Sequence, residues 1–416
     1  MNRIILIGNG FDLAHNLPTS FKEFLNDYWK KLIEQIKQCQ PGSTFQDEDL
    51  LIEKVPNTWI EGTDYRAFRK TFENYTGKLV FKNRLLKTIS ESSIDNWVDI
   101  ENEYYKLLIR SFKDESSKYS ITELNKDLDR IKDALKNYIE NIVNNFEFGD
   151  ESIKTQIGGK IYSRLNFVEF TEEAINNRTQ LEYDQLIENI QNLEQDKISP
   201  NQLSNDQQNL VNRLRGLDDI YHNLRKLLLS QSAPNYFQLY PENVLFLNFN
   251  YTKVDHHYHS AGQFENYEDF YPETRSIQIH GSVYRYDYNP IIFGFGDEID
   301  EHYQSIENLN DNRYLEHIKS IKYLETDNYK RLLDFINTED YQIFILGHSC
   351  GNSDRTLLNT LFEHQNCVSI KVYYHQKGEN LDNFSELTMN ITRNFNDKAS
   401  LRDKVVNKRF CEPLLR

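Results

Sequence analysis

The spacing of apolar residues along this chain changes twice, dividing it into two α/β ends and a helical middle. Arg3 to Ile7 is a short β-branched run that stops at Gly8-Asn9-Gly10, the pattern of a buried parallel strand entering a turn. A helix is predicted next, because Phe21, Phe24, Leu25, Tyr28, Trp29, Leu32, Ile33 and Ile36 share one face. Ser20 and Glu23 form a capping box at its start. From about 41 to 235 the helical period dominates, most clearly at Ile121, Leu124, Leu128, Ile131, Leu135, Tyr138 and Ile142. A second run predicts a helix through Leu210, Leu214, Leu217, Tyr221, Leu224 and Leu228. Such faces need covering, which predicts a bundle or a self-association surface.

Strand patterns return at Val244–Leu247, Ser276–Ile279, Pro290–Phe293, Gln342–Leu346 and Val368–Tyr374. The expected fold is an open, mostly parallel α/β sheet of Rossmann type. Residues 1–40 and 236–416 form one discontinuous domain, and a helical insertion at 41–235 interrupts it.

Composition narrows the function. The chain has 416 residues, 27% charged, with 26 Tyr and 25 Phe to build cores. A net charge of −16 argues against nucleic acid or an anionic membrane as a bulk electrostatic partner. The Arg3–Gly8 run is too short for a secretory core, and no stretch reaches the roughly 20 apolar residues of a span. Cys39, Cys350, Cys367 and Cys411 lack metal or disulfide spacing, so a reducing cytoplasm is expected.

The strand ends carry the candidate chemistry. Gly8, Asn9, Gly10, Phe11 and Asp12 form a turn whose glycines allow backbone N–H groups close to a phosphate, although the full dinucleotide fingerprint is absent. Asn248 and Asn250 end another strand, and a carboxamide suits a ribose hydroxyl or a water. His280 before Gly281 offers a base near neutral pH. Gly347-His-Ser349-Cys-Gly351 matches the nucleophile elbow of α/β-hydrolases. Too little chain follows Ser349 for the usual partners, and Asp354, His364 and His375 are poor candidates. Asp255 to His259 reads as a solvated segment rather than a metal site, and no metal is expected. Asp99 and Glu101 read as a solvated acidic face, or as one carboxylate reaching the site from the insertion.

The segments Ile5 to Ser20, Trp97-Val-Asp-Ile-Glu101, Asn248-Phe-Asn-Tyr-Thr252, Ile279-His-Gly281 and Leu346 to Asp354 resemble the bacteriophage abortive-infection AbiH family. That family in turn resembles sirtuin-type NAD-binding domains. The sirtuin pattern fits Gly8 to Pro18 in length, departing at Asp12 and at Asn16, where it has Gly. Its Asn falls on Asn250, its catalytic His on His280, and its Gly-x-Ser element on Gly347 and Ser349. Thr252 stands where the pattern carries an acid, and the four-cysteine zinc module is missing, so protein deacetylation is not expected.

The resemblance implies an antiphage effector that takes NAD as substrate and hydrolyses it. Asn250 and His280 would be catalytic. Gly8, Asn9, Gly10, Phe11, Asp12, Asn248, Gly281, Gly347, Ser349 and Asp354 would bind the nucleotide. A homo-oligomer through the insertion and a phage trigger or defence-system partner are the expected associations. A non-catalytic NAD or ADP-ribose sensor is the alternative, with a Ser349 hydrolase third.

Overall fold

The computed structural model describes residues 1–416 apart from 58–59, 74, 95–98, 115–118, 261–271, 285, 287 and 380. Trp97 and Val98 of the acidic motif therefore lie outside the described residues. Six strands build the main sheet: β1 (Asn2–Ile7), β2 (Asn243–Asn248), β3 (Glu273–Gln278), β4 (Tyr341–Leu346), β5 (Cys367–Tyr374) and β6 (Glu412–Pro413). Their order across the sheet is β3-β2-β1-β4-β5-β6, and every pairing is parallel. This is a Rossmann-like α/β fold. The strand order reverses between β1 and β4, and such sheets take ligands in the crevice beyond the carboxyl ends at that point.

Covering both faces explains the continuous apolar runs. Ile4, Leu6, Leu245, Ile343 and Ile345 pack under the helices Asn328–Ile336, Arg355–Glu363 and Phe384–Arg393. Ile5, Ile7, Phe246 and Phe344 face the other way, onto Phe11, Leu17 and the helix Glu151–Ile161.

The region 41–235 does several jobs. The predicted helix forms at Phe21–Lys37, with the Ser20–Glu23 capping box in place. It shares one core with the helices Arg84–Ser93, Ile100–Lys113 and Ile121–Asn144. A small antiparallel sheet of Phe45–Gln46, Leu50–Ile52 and Leu79–Phe81, absent from the expectation, joins that core. The helices Glu172–Glu194, Asn205–Leu214 and Ile220–Leu228 form a separate cluster. The amphipathic faces are thus largely spent inside the chain.

Two local expectations change. The run through Leu210 to Leu228 is two helices, because Gly216 takes φ +80° and Asp219 caps a new start. Leu217, expected on the apolar face, is left exposed. Pro290–Phe293 is not a strand: the proline lacks an N–H, and Ile292 N donates to His280 O instead of to a ladder. Ile292 and Phe293 are buried as loop.

Candidate functional site

The loops after β1 and β4 meet without side chains between them. Gly8 N donates to Leu346 O (3.3 Å) and Gly10 N to Gly347 O (2.8 Å). A Cβ on Gly347 would lie 2.1 Å from Phe11 N, and its φ is +75°, so only glycine fits there. The amides of Gly8 and Gly10 are thus committed within the protein. Beside this junction lies a cavity of about 450 Å³, within the range of small-molecule sites. The junction and residues after β2 and β3 form one side of it, and Phe21, Glu101, Leu135 and Ile139 line it from the helical region.

One half of the cavity is organised around Asp12, which is 1% exposed. Its Oδ1 accepts from Asn250 Nδ2 (2.8 Å) and Thr252 Oγ1 (2.9 Å), and its Oδ2 from Thr19 Oγ1 (3.0 Å) and Thr252 Oγ1 (2.9 Å). Burial pushes the Asp12 carboxyl up to about 7, against the pull of these hydroxyl and amide donors. Asn250 Nδ2 also donates to Gly8 O (3.0 Å), fixing the carboxamide by its nitrogen. Among the described residues no hydrogen bond engages its Oδ1.

The other half holds a buried charge network. Lys319 Nζ lies 2.7 Å from Glu101 Oε2 and 2.8 Å from Asp354 Oδ1, and the lysine is 1% exposed. His280 Nε2 is 3.1 Å from the same Asp354 oxygen and 3.2 Å from Tyr323 Oη. His348 Nε2 stands 3.7 Å from Asp354 Oδ2. Burial opposes ionisation of Asp354, yet Lys319, His280 and His348 hold it well below the usual carboxylate range. Glu101 has weaker compensation, and burial raises it to about 7. Burial and the Lys319 ammonium lower His280, against Asp354. The ring is therefore neutral near pH 7 and able to take a proton.

Nine of the residues singled out by sequence converge here: Gly8, Asn9, Gly10, Asp12, Asn250, His280, Gly347, Ser349 and Asp354 all line the cavity. Three stand behind it. Phe11 packs in the core under the sheet. Asn248 spends its amide on Asp255 Oδ1 (2.9 Å) and Thr252 O (3.0 Å), and its Oδ1 accepts from Asn250 N (2.8 Å). Gly281 (φ +83°) lets the chain pass Pro290, whose carbonyl O would sit 2.0 Å from a Cβ.

The elbow pattern lacks elbow geometry. The left-handed non-glycine residue is Cys350 (φ +53°) rather than Ser349, and no described side chain hydrogen-bonds to Ser349 Oγ. Asp255 is not solvated: it is fully buried and accepts from Asn248, His259 (3.1 Å) and Ser276 (2.7 Å). Both insertion carboxylates reach the cavity, with Asp99 capping the helix Ile100–Lys113 and Glu101 pairing with Lys319.

Sequence reasoning missed Lys319, Tyr323 and Thr19. Nothing around Lys319 distinguishes it from a surface lysine. Thr19 was detectable only as a hydroxyl near the Gly8 turn.

The family described as bacteriophage abortive infection AbiH matches residues 4–375 of the chain. No curated protein and no solved structure matches.

Proposed function

The chain belongs to the bacteriophage abortive infection AbiH family, and from this premise we propose that it is a defence effector that hydrolyses NAD to ADP-ribose and nicotinamide. One observation carries the reading: Asn250 and His280, from the ends of neighbouring strands, share a single cavity with the Gly8–Gly10 turn and Ser349 at the sheet's switch point. Two of the departures from the sirtuin pattern, at Asp12 and Thr252, compensate each other. The acid absent at Thr252 is supplied by Asp12, which that threonine contacts. Asn16 takes φ +63°, a left-handed conformation open to glycine and tolerated by asparagine.

Cleavage breaks the C1′–N bond, the electron pair leaves with nicotinamide, and water adds to C1′ with loss of one proton. Asn250 Oδ1 orients the water or a ribose hydroxyl, and neutral His280 takes the proton. Asp354 and Glu101 line the same cavity, and a carboxylate there would stabilise the positive charge that develops at C1′. With the Gly8 and Gly10 amides committed, the pyrophosphate is held by the positive end of the helix Phe21–Lys37, whose first turn lines the cavity.

A sensor without catalysis is the second reading. It is favoured by His280 Nε2 already lying against Asp354 and Tyr323. Incubating the purified protein with NAD separates the two: nicotinamide release supports the effector, and binding without release supports the sensor.

A further inference from the structure

A second cluster lies outside the cavity, where the helix Ile121–Asn144 meets the segment leading into Lys319. His317 is 5% exposed, and its Nε2 is buried with no hydrogen-bond partner among the described residues. Asp129 Oδ1 lies 3.9 Å from that nitrogen, and the ligand atoms of Asp129, Glu316 and His317 all fall within 4.8 Å of one another.

The 3.9 Å gap bears on what fits. It is too long for a hydrogen bond, and a bridging water at about 2.8 Å from each partner would set them about 4.5 Å apart. A tetrahedral zinc-class ion at about 2.0–2.2 Å from each ligand sets them about 3.3–3.6 Å apart, so the pair has to close by only a few tenths of an ångström. Among the described residues an ion pair reaches only one of the two carboxylates. Lys132 Nζ contacts Asp129 Oδ1 (2.6 Å) but is partly exposed, with solvent to retreat into. Asn125 Nδ2 donates to Glu316 Oε2 (2.7 Å), orienting that carboxylate as outer partners orient metal ligands.

We propose that Asp129, Glu316 and His317 form a binding site for a divalent transition-metal ion of the zinc class. The ion ties the helical region to the Lys319 segment. His317 O accepts from Phe295 N (3.1 Å) and Lys319 N donates to Phe295 O (3.0 Å), so a fixed His317 fixes the backbone that aims Lys319 at Glu101 and Asp354. The role is structural, and it stands independently of any reaction on NAD.

The test is calorimetric titration of the chelator-stripped full chain with zinc chloride, repeated with manganese chloride and without nucleotide. One zinc should bind per chain and raise Tm. H317A should weaken binding at least roughly 100-fold, and E316Q should weaken it less. K132M should tighten binding by removing the competing ammonium. H256A, in the separate Asp255–His259 group, should leave it unchanged. If H317A does not fold, E316Q and K132M must still shift affinity in opposite directions. Absence of stoichiometric zinc binding, or wild-type affinity in E316Q and K132M, overturns the site whether or not NAD is cleaved.

Discussion

The Thr252 hydroxyl sits 2.9 Å from both carboxylate oxygens of Asp12, joining the end of β2 to the helix that follows β1. With Asn250 and Thr19 on the same carboxyl, Asp12 is the point at which two sheet strands and the cavity wall are locked together.

That lock predicts a pH signature. Asp12 is raised to about 7 in the fold, while an unfolded aspartate titrates near ~3.9. A raised folded pKa gives stability that is complete below the unfolded value and lost as pH climbs through the folded one. The stability of wild type relative to D12N should therefore be greatest below pH ~4 and fall by up to ~4 kcal/mol by pH ~8. Urea denaturation of both proteins across this range measures it. A difference that does not vary with pH contradicts the assignment.

Lys319 predicts a loss of similar size. K319M leaves Glu101 and Asp354 facing each other without a cation, and breaking a buried pair typically costs ~3–5 kcal/mol. Adding E101Q removes one stranded charge, so K319M/E101Q should be more stable than K319M alone. Lys319 also holds His280 down, so in K319M the ring should titrate at higher pH by NMR. An unchanged His280 titration would separate the histidine from the network.

The loop junction predicts a contrast between two glycines of similar φ. G347A drives a Cβ into Phe11 N at 2.1 Å and should cost more than ~3 kcal/mol or prevent folding. G42A, at φ +80° with open space around it, should cost only ~1–2 kcal/mol of backbone strain. Equal losses in thermal denaturation would show that contact between the two loops is unimportant.

Ser349 separates binding from chemistry. S349A should weaken ADP-ribose binding roughly 5- to 10-fold, the worth of one hydrogen bond. It should leave the rate of cleavage of bound NAD nearly unchanged, and a fluorophosphonate probe should not label the wild type. Abolished cleavage at unchanged affinity, or labelling of Ser349, would restore the serine-hydrolase reading.

How much of this was legible varies with the physics of each element. Strands β1, β2, β4 and β5 are apolar runs because both sheet faces are covered, so the pattern located them to within a residue or two. Strand β6 is two residues long and joins through backbone pairing with Tyr373 and Tyr374, which side-chain patterns do not encode. Pro290–Phe293 looked like a strand because buried loops and buried strands have the same apolar composition. At the site, residues flanked by glycine or by a strand end could be found: Asn9, Asn250, His280 and Ser349. Glu101 and Asp354 were candidates as well, but Lys319, which joins them, could not be found. The three lie far apart in sequence, and burial alone turns an ordinary lysine into the centre of the site.

Release of nicotinamide from NAD by the purified chain, beside its H280A and N250A variants, decides whether the cavity is an active site. Wild type should yield nicotinamide and ADP-ribose in equal amounts. H280A should be slower by about 10²–10⁴-fold while binding ADP-ribose nearly as well, and N250A should lose both rate and affinity. Absence of nicotinamide from wild type, or cleavage by H280A at the wild-type rate, would contradict the account.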